Sequence, residues 1–218
     1  MENASPWQVE TFAVGPLQCN CALVSHSQKR EAILFDPGGD EEALLAHLQA
    51  KKLRLVGIFH THAHFDHICG SGAMHHATGA PLALHEGDRP LWDHVDMQCA
   101  QFPMLHLKPP ALPEPQRALA NGDALPFDGR CLHTPGHSPG SCCFYFEAMG
   151  LLISGDTLFH RSVGRTDLWG GDSQALEQSI QQTLYALPDV TRVITGHGPQ
   201  TVLGDEKRLN PFIAGDAL

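Results

Sequence analysis

Basic runs are missing from this chain. Lysine and arginine number 14 against 24 aspartates and glutamates, for a formal net charge of −10. No Lys/Arg cluster supplies the cationic footprint that binding a phosphate backbone requires. The composition argues against a nucleic-acid partner and against a nuclease. Long apolar runs are missing too, since no stretch approaches the ~20 residues that cross a bilayer. Met1-Glu2-Asn3-Ala4-Ser5-Pro6 carries no basic segment followed by an apolar one, so nothing there reads as an export signal. A soluble, cytoplasmic protein with no membrane partner is expected. The seven cysteines, Cys19, Cys21, Cys69, Cys99, Cys131, Cys142 and Cys143, include no CxxC pair. That removes zinc ribbons and dithiol redox motifs and leaves reduced thiols packed as small hydrophobes. Hydrophobic residues at 42% and charged residues at 17% are ordinary for a globular chain. A length of 218 residues suits one large α/β domain but not two full ones. A single domain over residues 1–218 is therefore expected.

What is present is a run of ligand-type side chains. His60-Thr61-His62-Ala63-His64-Phe65-Asp66-His67 follows the apolar segment Leu55-Val56-Gly57-Ile58-Phe59, so a buried strand is predicted to end in a metal-binding loop. Side chains at a strand end alternate with period two, which sends His62 and His64 to the same side. Asp66 and His67 fall where the backbone turns into a helix and can face a different point. One short loop thus presents two adjacent half-sites. Imidazole and carboxylate suit zinc, iron or manganese better than calcium or magnesium, which prefer oxygen alone.

Strands are predicted over Trp7–Val14 and Cys19–Val24 around a Gly15-Pro16 turn, and again over Ala32–Phe35. Asp36 ends the last of these, where its carboxylate either fixes the Pro37-Gly38 turn or accepts from a ligating imidazole. Asp40 is expected to cap a helix with Leu44, Leu45 and Leu48 on one side, Glu41 and Glu42 in its first turn, and Lys51 and Lys52 in its last. A helix over 67–78 closing at Gly79, a strand at 81–84 and a helix over 86–99 follow. Five prolines between Phe102 and Pro115 predict a long loop, a wall for a substrate cleft. Strands are then expected at Ala124–Phe127, Arg130–Thr134, Cys142–Phe146 and Leu151–Ser154. A helix over 173–187, capped by Asp172 or Ser173, precedes a final strand at Arg192–Thr195. His137, Asp156 and His197 each sit at the end of one of these strands, His137 and His197 framed by glycine and proline. Asp156 closes an apolar strand, where a buried carboxylate calls for a cation. Collecting distant strand ends into one site is what an α/β scaffold does.

His60–His67 (HTHAHFDH), His137 in TPGHSPGS, Asp156 in ISGDTLF and His197 in TGHGP together resemble the metallo-β-lactamase superfamily over nearly the whole chain. Within it, the chain is most similar to the glyoxalase II (hydroxyacylglutathione hydrolase) type, in its small single-domain bacterial form. Val163-Gly164-Arg165-Thr166-Asp167, and GHGP followed by Leu209-Asn210-Pro211-Phe212, carry that narrower likeness. The resemblance implies an α/β fold, a four-layer αβ/βα sandwich. It implies two divalent ions, zinc first and iron or manganese as alternatives, one held by His62, His64 and His137, the other by Asp66, His67 and His197, with Asp156 bridging. It also implies hydrolysis of a thioester, S-D-lactoylglutathione or a related acyl thioester, by a hydroxide lying between the ions and oriented by Asp66.

A small-molecule thioester, such as a glutathione conjugate, is the expected partner. The extra C-terminal helical region of the larger glyoxalases II is not matched here, which leaves the grip on glutathione open. Arg165 either anchors a substrate carboxylate or pairs with Asp167. Three other functions remain on the same scaffold: a mononuclear-iron persulfide dioxygenase, a lactonase, and a non-catalytic metal-binding protein. A β-lactamase is disfavoured, because Asp156 stands where the principal antibiotic-degrading zinc enzymes tend to have cysteine.

Overall fold

The computed structural model describes residues 5–213, which divide into two compact units. The first unit runs to His60 and adds His64–Ala83 and Leu91–Arg117. The second comprises Thr61–Ala63, Leu84–Pro90 and the chain from Ala118 onward.

The first sheet opens with strands β1 (Trp7–Val14) and β2 (Cys19–His26), an antiparallel hairpin in register from Trp7 opposite His26 to Val14 opposite Cys19. Strand β3 (Glu31–Phe35) pairs antiparallel with β2. Helix α1 (Glu41–Lys51) then carries the chain back to β4 (Arg54–Phe59), which lies parallel to β3. A parallel neighbour requires such a crossover. Leu44 and Leu48 of α1 are buried, and Leu45 is half-buried. The sheet's middle is apolar on both faces: Ala22, Val24, Ala32, Ile33, Phe35 and Ile58 are each 0% exposed, as parallel strands tend to be.

One expectation for α1 is corrected. Asp40 precedes the helix but has φ 52° and makes no side-chain cap, because capping needs an extended backbone at that position. Its Oδ2 instead accepts from Gly15 N at 2.8 Å and ties the β1–β2 turn to the helix start.

The helix expected over 67–78 is two: α2 (Phe65–Ile68) and α3 (Ser71–Thr78). The break falls where Gly70 N donates to Pro37 O at 2.8 Å, an outside acceptor that holds the chain against the Asp36–Gly39 turn. After β5 (Leu82–His85), the helix expected over 86–99 is likewise divided. It becomes a 3₁₀ turn at Glu86–Asp88, α4 (Arg89–Asp93) and α5 (Val95–Ala100), with His94 leaving helical geometry at φ −115°. Residues 102–116 form the expected long loop, interrupted by one 3₁₀ turn at Pro103–Leu105. It leads to a strand the sequence did not mark, β6 (Arg117–Leu119). The sheet order is β1-β2-β3-β4-β5-β6.

The second sheet starts with β7 (Ala124–Leu125), shorter than expected because Phe127 and Asp128 turn the chain with φ 67° and 58°. It continues with β8 (Gly129–His133), β9 (Cys142–Phe146) and β10 (Leu151–Gly155). A small hairpin, β11 (Leu158–Phe159) with β12 (Ser162–Val163), follows. Helix α6 (Ser173–Gln178) is capped by Asp172, whose carboxylate accepts from Gln174 N and Ala175 N. It runs on as a π-helix over Ser179–Leu184. Strand β13 (Arg192–Thr195) lies parallel to β10, and β14 (Thr201–Val202) and α7 (Leu203–Leu209) close the unit. The hairpin, β14 and α7 were not foreseen. The order is β14-β13-β10-β9-β8-β7. Leu176, Ile180 and Leu184 join Leu152, Val193 and Leu203 in one buried cluster, so the predicted apolar side of that helix does face a core. Among the described residues no helix is long and apolar enough to cross a membrane, and all seven cysteines are free thiols.

Candidate metal centre

In the first unit, the C-terminal end of β4 delivers His60 and then, after the loop, α2. His60 is fully buried, with Nδ1 2.9 Å from Ala83 O and Nε2 2.7 Å from Ser71 Oγ. Nδ1–H donates to the carbonyl, and in the neutral ring Nε2 then accepts a hydrogen bond from the serine hydroxyl. Burial also pushes its pKa down. Both nitrogens are occupied, and this first histidine of the run braces the strand end.

Asp66 and His67 are presented by α2. His67 is 0% exposed, and its Nδ1 lies 3.1 Å from Asp36 Oδ2. With Nδ1–H donated to that carboxylate, Nε2 is left as the ligand atom, the usual arrangement behind a metal-bound imidazole. Cys19 Sγ sits 3.4 Å from the same Nδ1, and burial pushes its thiol up to about 12. The Asp36 turn reaches α2 because position 38 is glycine: a Cβ there would lie 1.6 Å from Asp66 O. Gln98 of α5 caps the other side, accepting from Phe65 N at 3.0 Å.

In the second unit, Cys142 N donates to Thr61 O at 2.7 Å, which fastens the residue before His62 to β9. Thr61 Oγ1 is 3.1 Å from His62 Nδ1. His137 Nδ1 donates to Arg165 O at 2.8 Å, which leaves Nε2 as the ligand-type atom, and that atom lies 3.2 Å from His62 Nε2. Asp156, at the end of β10, places Oδ2 3.6 Å from His137 Nε2 and 3.9 Å from His197 Nε2.

Three groups of donor atoms result, each with all members within 4.8 Å of one another: His62, His64 and His137; Asp66, His67 and His197; and His62, His67 and Asp156. Nitrogen and carboxylate donors at this spacing fit zinc, iron or manganese. The supporting bonds fit as well, since His67 and His137 both have Nδ1 committed and Nε2 turned to the group.

Arg165 places its side chain elsewhere. Nε and Nη2 bond Asp167 Oδ1 and Oδ2 at 2.6 and 2.7 Å in an exposed bidentate pair, and the residue serves the centre through its carbonyl. Cys69 caps α2, its N donating to Phe65 O at 2.9 Å, whereas the thiol against a ligand-type histidine is Cys19. His75 and His76, in the last turn of α3, bond the main-chain carbonyls of Ala80 and Gly72. Sequence reasoning passed over Cys19, Gln98 and Asp88, which is fully buried and accepts from Ala63 N at 2.9 Å. Asp88 falls in the first turn of the helix expected over 86–99, where an acidic residue gives no signal of a site. A cavity of about 470 Å³ in the first unit is lined by Phe65 of α2 and Cys69 just after it, Gln18 of the first hairpin, and Leu107 and Lys108 of the long loop.

The profile of the Metallo-beta-lactamase superfamily matches residues 14–197. The chain is 34% identical to hydroxyacylglutathione hydrolase GloC of Haemophilus influenzae, over 94% of this chain and 97% of that one. Among solved structures, it is similar to TTHA1623 in a di-iron-bound form, with 43% identity, TM-score 0.85, and 94% of this chain and 100% of that chain covered. It is also similar to BLEG-1 B3 metallo-beta-lactamase, with 38% identity, TM-score 0.87, and coverage of 95% and 100%.

Proposed function

From the premise that the chain belongs to the metallo-β-lactamase superfamily, and so has that fold and the metal-binding chemistry of a metallo-hydrolase, we propose that it is a two-metal thioester hydrolase. Its substrate is S-D-lactoylglutathione or a related acyl thioester. The observation that carries this reading is the sharing of donors: His62 and His67 each belong to two of the three groups, so two cation positions are contiguous. The relative named hydroxyacylglutathione hydrolase, matched nearly end to end, supports the substrate class.

On this reading His62, His64 and His137 would hold one ion and Asp66, His67 and His197 the other, and Asp156, which groups with His62 and His67, would offer a carboxylate to the pair. Zinc is the first choice, and the di-iron form of a similar chain makes iron the second. The ions when bound supply Lewis acidity, lowering the pKa of water and polarising a carbonyl. Asp66 accepts a hydrogen bond from the attacking water and orients it at the acyl carbon. The C–S bond breaks, and the products are a carboxylate and a thiol. Asp36 and Arg165 O keep His67 and His137 in the tautomer that offers Nε2. The cavity walled by Phe65, Leu107 and Lys108 adjoins the helix that bears Asp66, and the reading assigns it to the substrate.

The test is a panel led by S-lactoylglutathione, run on protein of measured metal content, with thiol release as readout. Turnover with two ions per chain, and an Asp66→Ala variant slower by about a hundredfold or more, are expected. A cephalosporin and an acyl-homoserine lactone serve as competing substrates, the former because BLEG-1 is called a β-lactamase. Preference for either, or one iron per chain with oxygen uptake on glutathione persulfide, overturns the thioester reading.

A further inference from the structure

Asp88 is a buried carboxylate that the mechanism above does not use. It closes the 3₁₀ turn after β5 and is 0% exposed. Its Oδ2 accepts from Ala63 N at 2.9 Å and from Ser138 Oγ at 2.7 Å, and its Oδ1 accepts from Gly140 N at 2.6 Å. Ser138 Oγ also lies 2.7 Å from Ser141 Oγ, and Ser141 Oγ accepts from Ser138 N. Ala63 separates His62 from His64, and Ser138 follows His137. Two of the three bonds to Asp88 therefore adjoin members of the His62, His64, His137 group, the third falls three residues past His137, and none adjoins Asp66, His67 or His197.

The approach is too close to be incidental. A Cβ at position 140 would lie 2.5 Å from Asp88 N and 2.8 Å from its Cγ, and one at position 87 would lie 2.9 Å from Pro139 O. Two glycines let the 86–88 turn and the 138–141 turn meet backbone to backbone. A buried carboxylate loses hydration, and three donors offset that loss only if both loops keep their places. The carboxylate thus links the geometry of two loops that carry three imidazoles.

We propose that Asp88 is the positioning residue of the His62, His64, His137 half-site, preorganising the three imidazoles for one cation while leaving the other half-site to a separate anchor, Asp36. The proposal rests on the reading that these groups hold metal, and it does not depend on which substrate is turned over. Asp88→Asn replaces one acceptor oxygen with a donor, so it cannot satisfy both Ala63 N and Gly140 N. Outer partners of metal ligands are worth about 10–100-fold in metal affinity, which sets the size of the effect.

The experiment compares two backgrounds. In His197→Ala protein the first half-site is left intact, and in His137→Ala protein the second. Zinc affinity is measured by competition with a chromophoric chelator, with and without Asp88→Asn. The expected result is a loss of about 10–100-fold in the His197→Ala background and no change in the His137→Ala background. In the metal-free wild-type protein the Ala63 and Gly140 amide protons are expected to exchange slowly, and Asp88→Asn is expected to speed the exchange of at least one of them.

Equal losses in both backgrounds would reduce Asp88 to general scaffolding and overturn the proposal, as would no loss in either. Should Asp88→Asn fail to fold, Ser138→Ala removes one donor and keeps both backbone bonds. It is expected to give a smaller loss confined to the first half-site, and a loss in the other, or none, overturns the proposal. Thioesterase activity enters none of these readouts, so failure of the substrate reading leaves the outcome legible.

Discussion

Two carboxylate pairs in this molecule lie in opposite surroundings. Asp36 meets His67 at 3.1 Å with side chains 2% and 0% exposed, whereas Asp167 grips Arg165 at 2.6 Å with side chains 68% and 61% exposed. The second pair is shorter and bidentate, yet water competes for every atom of it, and exposed pairs of this sort contribute little. In the first pair, little water competes, and the carboxylate fixes which nitrogen of His67 is offered to the centre. Asp36 even holds a left-handed backbone, φ 50°, a conformation that aspartate tolerates better than most residues. Surroundings, more than distance, decide which pair matters.

Removing the buried anchor is expected to have the largest effect. Asp36→Ala should weaken zinc binding at the Asp66, His67, His197 group by about 10–100-fold, read by chelator competition in the His137→Ala background. Asp36→Asn, which keeps an acceptor oxygen and tolerates positive φ, should lose less. Unchanged affinity in both would place the control of His67 elsewhere. Cys19→Ala should lose less again, because the sulfur, at 3.4 Å from Nδ1, is a weaker partner than the carboxylate.

Arg165→Ala should leave metal content and melting temperature where they are, since His137 uses the main-chain carbonyl of that residue. A rise in KM at constant kcat would instead assign the guanidinium to substrate binding and break the comparison from the other side.

The smallest effect concerns acid. Bonding to Arg165 holds the Asp167 carboxyl down at about 2, below the ordinary aspartate value of ~3.9. A depressed folded-state pKa stabilises above the unfolded value and loses that contribution as pH falls through the folded one. Any stabilisation from this pair therefore fades between about pH 4 and pH 2, and it shrinks as salt rises. Carboxyl chemical shifts of Asp167 against pH, with Arg165→Ala as reference, read this directly. A midpoint unmoved by the substitution would deny the pairing.

Much of the architecture could be read from local pattern. The alternation and flanking turns of β1 to β4, and the Pro/Gly frames of His137 and His197, are statements about neighbours a few residues apart. The spacing of Leu176, Ile180 and Leu184 is another. Where the reading slipped, a distant partner had intervened. Pro37 O takes Gly70 N and divides one expected helix, and Gly15 N takes the Asp40 carboxylate away from capping. The short strands β6, β11, β12 and β14 carry too few residues to show a period.

The sequence by itself determined the kinds of donor and their placement at strand ends, because side-chain chemistry and turn residues act over one or two turns of chain. It also marked His60 as one histidine among several. Only the tertiary structure decided that His60 is spent on Ala83 and Ser71, that Asp36 rather than solvent faces His67 across 31 positions, and that Asp88 reaches Ser138 across 50. Those pairings are settled by how strands and turns pack, where a buried polar group takes whichever partner the fold brings within reach.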